Sequence, residues 1–155
     1  MWKKYKPYVI SIVATLLVGA LASFLTRDSM DIYGRLNMPP LSPPASIFPI
    51  VWTILYILMG IGAGLVYVKG EEISRSGALK IYITQLIFNF LWTIVFFNFR
   101  WYLFAFIWLL ILWVLIIVMI IKFHRISPAA AYMQIPYFLW VTFAAYLNLM
   151  IYILN

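Results

Sequence analysis

Three stripes of aromatic and amide side chains are the parts of this 155-residue sequence whose types and spacing could do chemistry. On a helix, the members of each stripe share one face: Gln85, Asn89, Trp92 and Phe96; Trp52, Tyr56 and Met59; and Trp140, Ala144 and Asn148. Amides in an apolar medium cost free energy unless they are paired, so we expect these faces to point inward. There they either bond neighbouring helices or meet a flat apolar ligand with few polar groups.

Depth favours a ligand site over interfacial anchoring for two of the tryptophans. At about 1.5 Å of rise per residue, Trp92 lies roughly 9 Å and Trp140 roughly 21 Å from the outer ends of their predicted helices, near residues 98 and 154. Tryptophans that anchor a protein at the membrane surface cluster near helix ends instead. The alternative for Gln85, Asn89 and Asn148 is a purely structural role as bonds between helices.

The remaining polar residues exclude hydrolytic and metal chemistry. The four acids, Asp28, Asp31, Glu71 and Glu72, lie in predicted loops, His124 is the single histidine, and the chain has no cysteine. A Ser-His-Asp triad or a zinc site cannot be assembled from this set. We therefore predict no metal, no tightly bound cofactor and no conventional catalytic residue, and leave open whether the protein is an enzyme.

The amino-acid composition indicates which secondary-structure elements carry these stripes. Hydrophobic residues make up 66% of the chain and charged residues 10%, which is too little polar surface for a soluble domain. Long stretches without charge, each near the 20 residues that cross a bilayer, predict five transmembrane helices. They cover about 8–26, 47–68, 78–98, 102–121 and 134–154. The predicted fold is an all-α integral membrane bundle, with residues 1–155 as a single domain.

Two of the predicted spans carry further expectations. The small residues Ala20-Leu21-Ala22 would also suit a cleaved signal peptide, but the uncharged run continues to Thr26, which favours a retained helix. The fourth span has no polar side chain other than indoles between Leu103 and Ile121, so we expect it to face lipid.

Basic residues predict the orientation. Eight Lys and Arg side chains fall at the N-terminus and in the two loops on its side, against three, Arg27, Arg35 and Arg100, on the other side. This asymmetry places the N-terminus in the cytoplasm and the C-terminus outside a cell membrane. The net charge of +7 indicates attraction to membrane lipid rather than to nucleic acid, because no long basic run is present.

The connection between the first two spans is long and rich in proline. It contains Pro39, Pro40, Pro43 and Pro44, which restrict its conformations. A loop of this length is either a lid or binding loop or an extended spacer, and the segment alone does not decide between them.

Three segments of the sequence, with the five spans and the proline-rich loop, resemble the TspO/MBR family of tryptophan-rich sensory and translocator proteins. They are residues 49–60, PIVWTILYILMG; 89–97, NFLWTIVFF; and 136–148, PYFLWVTFAAYLN. The resemblance covers nearly the whole chain.

The resemblance implies a dimeric five-helix protein whose pocket is capped by the first loop. Family members bind porphyrins such as protoporphyrin IX, and some bind sterols or benzodiazepine-site drugs. Two pocket tryptophans that matter for light-dependent porphyrin breakdown correspond to Trp52 and Trp140. Other positions that match the family's pocket are Asn89, Trp92, Ala144 and Leu147, and the lid corresponds to Pro39, Pro40, Leu41, Pro43 and Pro44.

Two positions depart from the family's pattern. The first loop reads MPPLSPP at residues 38–44, where the family usually has Lys-Pro-x-Trp-x-Pro-Pro. Met38 and Leu41 thus replace the usual Lys and Trp. No Lys or Arg follows Tyr152, so the proposed cholesterol pattern is missing and sterol recognition by it is not predicted.

The sequence leaves three functions in order of preference. The first is a membrane receptor for porphyrin-like and other flat hydrophobic ligands. The second is a small transporter of hydrophobic metabolites, although the lack of an acid within the spans argues against proton-coupled export. The third is a lipid or assembly factor that uses Gly60 and Gly64 to pack against a partner helix, although close packing within one chain is the simpler role for these glycines.

Overall fold

The computed structural model describes residues 2–155, apart from the side chains of Met30 and Ile32. Within that range the chain forms six α-helices and no strand: α1 Trp2–Thr26, α2 Ile47–Lys69, α3 Glu72–Thr93, α4 Tyr102–Ile126, α5 Pro128–Tyr132 and α6 Ile135–Leu154. A 3₁₀ segment, Arg27–Arg35, follows α1, and a π-helical segment, Ile94–Phe99, extends α3. Five helical segments are long and apolar enough to cross a membrane, which confirms the predicted all-helical membrane fold.

Several helices extend beyond the predicted spans. The first begins at Trp2 rather than at residue 8, the third at Glu72 rather than at 78, and α4 runs to Ile126 rather than to 121. Absence of charge marks only the part of a helix that lies in hydrocarbon. Each of these helices continues into the polar interface of the membrane. Charged side chains are solvated there, so they do not interrupt the backbone hydrogen bonds of the helix.

Two glycines bring α1 and α2 into close contact. A Cβ atom on Gly64 would lie 2.7 Å from Cδ1 of Tyr8, and one on Gly60 would lie 2.5 Å from Cα of Ile12. The Ser11 hydroxyl also donates a hydrogen bond of 2.5 Å to the Gly60 carbonyl. Both glycines therefore pack against α1 of the same chain.

Helix α4 is buried along one side, so the prediction that it faces lipid was wrong for that side. Ala105, Leu109, Leu112, Ile116 and Met119 are buried against the rest of the bundle. Only the opposite side, with residues such as Ile107, Leu110 and Val114, is exposed. Lipid tails are as apolar as leucine, so a uniformly apolar sequence does not distinguish a lipid-facing side from a protein-facing one.

The ends of α1 and α3 are joined on the side of the bundle where the proline-rich loop begins. The Asn98 amide donates to the Leu25 carbonyl at 3.0 Å, and its oxygen accepts from the Ser29 hydroxyl at 2.8 Å. The π-helical segment that carries Asn98 ends at Phe99 and is followed by Arg100, whose φ of 58° is left-handed. These bonds hold the ends of α1 and α3 together beside the proline-rich loop.

Candidate ligand-binding cavity

A cavity of about 380 Å³ lies between α1, α2, α3 and α6, toward the end where α1 stops and α2 begins. Its walls contain eight of the residues that the sequence predicted for ligand binding. They are Trp52, Tyr56, Trp92, Phe96, Trp140, Ala144, Leu147 and Asn148. Three helices, α2, α3 with its π-helical extension, and α6, thus bring their aromatic stripes to one space.

Trp52 is at the centre of the aromatic wall. Its ring stacks on Tyr56 at 5.5 Å between centroids with an interplanar angle of 28°, and it meets Trp140 edge to face at 6.4 Å and 87°. Trp140 in turn contacts Phe48 at 5.7 Å. Edge-to-face and offset contacts of this kind hold each ring in one orientation. The two indoles are nearly perpendicular and present two adjoining walls.

Trp92 is fixed by an amide on the facing helix. Its indole N–H donates to Oδ1 of Asn148 at 3.0 Å, and the Asn148 amide donates to the Tyr102 carbonyl at 2.8 Å. Asn148 is 1% exposed, so this pairing spares it the cost of an unsatisfied amide in an apolar interior. This hydrogen bond holds the Trp92 ring in one orientation at the cavity wall, where its centroid lies 5.5 Å from that of Phe96.

Gln85 and Asn89 do not line the cavity. They lie behind Trp52 and Tyr56, where the Tyr137 hydroxyl donates to Oε1 of Gln85 at 2.7 Å and accepts from Nδ2 of Asn89 at 2.8 Å. Oδ1 of Asn89 also accepts a long bond of 3.5 Å from Tyr56. All three members of the Gln85–Tyr137–Asn89 chain are buried, which is the structural role that the sequence left open for the two amides.

The proline-rich loop is attached to the end of α6. Tyr146 donates to the Pro40 carbonyl at 2.8 Å, and Oδ1 of Asn155 accepts from the backbone N–H of Asn37 at 3.1 Å. Pro39 is buried, whereas Leu41 is 81% exposed at a left-handed φ of 72°. None of the predicted lid residues, Pro39, Pro40, Leu41, Pro43 and Pro44, is among the described residues that line the cavity.

Tyr33 connects that loop to the cavity instead. It lies in the 3₁₀ segment, lines the cavity, and donates to the Pro43 carbonyl at 2.7 Å. Its ring meets Phe48 edge to face at 5.0 Å. Burial raises the pKa of the Tyr33 hydroxyl, so it stays a neutral donor. No pattern in the sequence marked Tyr33, because its position depends on how the loop folds back.

Small side chains of α1 form the remaining wall. The buried residues Thr15, Gly19, Ala22 and Thr26 recur at helical spacing, and all but Thr15 line the cavity. This stripe of small residues was the available signal in the sequence, and the focus on aromatic and amide residues missed it. Because these side chains are small, space remains between α1 and the aromatic rings on the opposite wall of the cavity.

One side of the cavity faces outward between α1 and α2. Ala20 and Ser23 of α1, with Pro49 and Thr53 of α2, line the cavity and are also exposed on the surface of the bundle. In a membrane this side borders lipid. The opening is framed by two hydroxyls and two small apolar groups.

The cations near this end do not line the cavity in the part of the chain that the structure describes. Arg27 lies over the Phe24 ring at 4.0 Å and 4.0 Å from Asp28, and Arg35 pairs with Asp31 at 3.1 Å. The polar groups that do line the cavity are neutral: Ser23, Thr26, Tyr33, Thr53, Thr93 and Asn148. Within residues 2–155, no three His, Asp or Glu side chains could together hold a metal ion.

Comparison with known proteins decides the family. The TspO/MBR family profile matches residues 11–154. The chain belongs to the TspO/MBR family. It is 32% identical to the "Tryptophan-rich protein TspO" of Chlorobaculum tepidum, over 100% of this chain and 99% of that protein. It is 35% identical to the protein of the same name from Archaeoglobus fulgidus, over 95% of each.

A mammalian relative extends the family beyond prokaryotes. The chain is 32% identical to the "Translocator protein" of Bos taurus, over 92% of this chain and 88% of that one. With five membrane-spanning segments and the family match, this TspO/MBR chain is a multi-pass membrane protein. The family fits a membrane binding or transport role.

Proposed function

We propose that this TspO/MBR protein is a membrane receptor for flat, largely apolar ligands of the porphyrin class, bound in the cavity between α1, α2, α3 and α6. The observation that carries the proposal is the pair of perpendicular indoles, Trp52 and Trp140, with Tyr56 stacked on the first. Aromatic walls of this kind favour a planar aromatic ligand, which can stack on one ring and meet the edge of the other.

The size and polarity of the cavity support a ligand of this class. Pockets for drug-sized molecules range over roughly 300 to 1,000 Å³ and have apolar walls with a few placed polar groups. At about 380 Å³ the cavity lies within that range, and its open side lets part of a larger ring extend toward lipid. Asn148 is already paired with Trp92, and the Thr53 hydroxyl donates to the Pro49 carbonyl, so the Ser23 hydroxyl is the group at the opening best able to donate to a polar edge of the ligand.

The acidic groups of a porphyrin would point away from the aromatic walls. Burying a carboxylate without a partner costs several kcal/mol or leads to its protonation. Arg27, Arg35 and Arg100 lie near this end of the bundle but outside the cavity wall, so they would act on such groups from the interface. A ligand without carboxylates would lose little by comparison.

We also propose that Trp52 and Trp140 take part in light-dependent breakdown of a bound porphyrin. The family resemblance suggests this role, and the placement of both indoles on the cavity supports it. The photochemistry would belong to the ligand and oxygen, and the protein would supply orientation and exclusion of solvent.

The distribution of basic residues supports a cell-membrane protein with a cytoplasmic N-terminus and an external C-terminus. The cavity would then open near the outer leaflet. The family resemblance also leads us to expect a homodimer, and we propose no nucleic-acid partner and no tightly bound cofactor.

The test is a titration of the detergent-purified protein with protoporphyrin IX in darkness, followed by tryptophan fluorescence. We expect saturable quenching in the wild type. Trp140→Ala removes one face of the site, roughly 80 Å² of apolar contact at about 25 cal/mol per Å², or about 2 kcal/mol. The dissociation constant should therefore rise about thirtyfold.

Trp101→Ala is the matched control, because Trp101 is 58% exposed and is not part of the cavity wall. It should bind as the wild type does. Equal affinities of the Trp140→Ala and Trp101→Ala variants would place the porphyrin elsewhere. Absence of saturable quenching in the wild type, together with flux of a hydrophobic solute in vesicles, would support the transporter alternative instead.

A further inference from the structure

A second recess lies on the opposite side of α1 from the cavity. This α1–α3 groove has a volume of about 1,020 Å³ and runs between α1 and α3 over a floor that includes Ala63 of α2. Among the described residues, none lines both the groove and the cavity. The groove therefore belongs to a different site, and any ligand it holds is independent of the function proposed above.

The groove exists because α1 packs closely on α2 but not on α3. Gly60 and Gly64 let α1 approach α2, whereas the edge facing α3 carries the small residues Ser11, Ala14 and Thr15. Opposite them stand larger apolar residues of α3, among them Ile83 and Ile87, which are exposed.

The polar groups on the floor of the groove are already paired within the protein. The Thr15 hydroxyl is hydrogen-bonded to the Tyr82 hydroxyl, and Ser11 donates to the Gly60 carbonyl. Apart from Lys6 and Tyr67 at one end, the described residues that line the groove therefore leave no hydroxyl without a hydrogen bond, and the groove suits a hydrocarbon chain.

Positive charge is present at one end of the groove. Lys6 lines it there, and so does Tyr67, over whose ring the Arg75 guanidinium lies at 4.9 Å. Among the described residues, the ion pairs within 4.0 Å involve Arg27 and Arg35, so no carboxylate neutralises Lys6 or Arg75 at that distance. The other end, at Leu21 and Leu91, is apolar.

The length of the α1–α3 groove matches the hydrocarbon thickness of one membrane leaflet. From Lys6 to Leu21 the groove follows α1 for about 22 Å at 1.5 Å per residue, which exceeds half of a hydrocarbon core about 30 Å thick. A lipid whose headgroup stands at the level of Lys6 can therefore lay an acyl chain along the whole groove. We propose that the α1–α3 groove binds one anionic phospholipid, with its headgroup at Lys6 and Arg75 and an acyl chain between α1 and α3.

Charge complementarity selects this occupant over a zwitterionic lipid. One basic side chain near the membrane surface attracts an anionic headgroup strongly enough to raise the affinity for that lipid about fivefold. A zwitterionic headgroup would gain far less, because it presents its own cation to Lys6. The groove thus predicts a preference by headgroup charge, which a nonspecific coat of lipid would not show.

The test uses the full-length protein, stripped of lipid and then incubated with phosphatidylglycerol or phosphatidylcholine. Native mass spectrometry counts the bound lipids. We expect one retained phosphatidylglycerol in preference to phosphatidylcholine, and about a fivefold loss of that preference in Lys6→Gln. Lys122→Gln is the control, because it removes the same charge at the end of α4, outside the groove. It should leave the preference unchanged.

A second variant tests the groove itself. Ala14→Leu places a larger apolar side chain on an exposed position in the groove and should reduce retention of both lipids. Val114→Leu, on the exposed side of α4, should leave retention of both lipids unchanged.

Equal retention of the two lipids by the wild type, or equal loss of the preference in Lys6→Gln and Lys122→Gln, would overturn the proposal. So would a lipid-free dimer that dissociates in Ala14→Leu, which would assign the groove to a second copy of the chain.

Discussion

The hydroxyl of Tyr137 provides the sharpest test of how the inside of the bundle is held together. Tyr137 is fully buried, and its hydroxyl bonds both Gln85 and Asn89, at 2.7 Å and 2.8 Å. Tyr137→Phe keeps the ring but leaves a carbonyl oxygen and an amide N–H without these partners. Hydrogen bonds between membrane helices are worth about 0.6 kcal/mol on average and at most about 1.7. Loss of two should therefore cost about 1 to 3 kcal/mol.

The assay is the free energy of unfolding in mixed micelles, measured by titration with a denaturing detergent. Tyr132→Phe is the control, because Tyr132 is 64% exposed on α5, and a surface change of this kind alters stability by less than about 0.5 kcal/mol. Adding Gln85→Leu to Tyr137→Phe removes the stranded carbonyl oxygen, so the double variant should recover part of the lost stability.

The same variant separates a structural role from a ligand contact. The Phe ring preserves the edge-to-face contact with Trp52, whose centroid is 6.2 Å away, so affinity for protoporphyrin IX should stay within about twofold of wild type, less than 0.5 kcal/mol. A stability no lower than that of Tyr132→Phe would refute the reasoning about the network. A large loss of affinity for protoporphyrin IX at unchanged stability would instead indicate that Gln85 and Asn89 contact the ligand.

Three further predictions concern the cavity and the helix packing. Trp52→Phe keeps an aromatic face but removes the indole. The dissociation constant for porphyrin in darkness should therefore change by less than about threefold, while the rate at which bound porphyrin bleaches under light should fall by a larger factor. Equal effects on binding and on bleaching would contradict a photochemical role. Ala144→Leu fills part of the cavity wall and should weaken binding of protoporphyrin IX about tenfold, with little effect on thermal stability because the space is available. Gly64→Leu forces its side chain into Tyr8 and should destabilise the protein by about 1 to 3 kcal/mol in the micelle assay, whereas Gly34→Ala, with open space around it, should not.

Helical periodicity predicted part of the faces that meet at the cavity, although Met59, Gln85 and Asn89 of the same stripes do not line it. A residue's side of a helix follows from its number, so Trp52 with Tyr56, and Trp140 with Ala144, could be placed together before any helix was docked. The bond between Trp92 and Asn148 was not predictable in this way. It depends on the relative height and rotation of α3 and α6, which periodicity within one helix does not contain.

Polarity was a weaker guide than periodicity. Gln85, Asn89 and Asn148 all carry amides and are all buried, yet only Asn148 reaches the cavity wall. Burial of an amide requires a partner, and the sequence does not say whether that partner is Tyr137 or a ligand. The wall formed by α1 was missed for a related reason, because small residues such as Gly19 and Ala22 shape a cavity by the volume they leave empty rather than by any chemistry of their own.

The outward-facing side of the cavity, framed by Ala20, Ser23, Pro49 and Thr53, determines which concentration governs occupancy. A hydrophobic ligand partitions into the bilayer before it reaches this opening, so its mole fraction in lipid, rather than its aqueous concentration, sets the fraction bound. Apparent dissociation constants should then rise in proportion to the lipid or detergent added to an assay. When partitioning is incomplete, ligands would rank by the product of partition coefficient and affinity within the lipid, so those that partition most strongly would occupy the site at the lowest total dose.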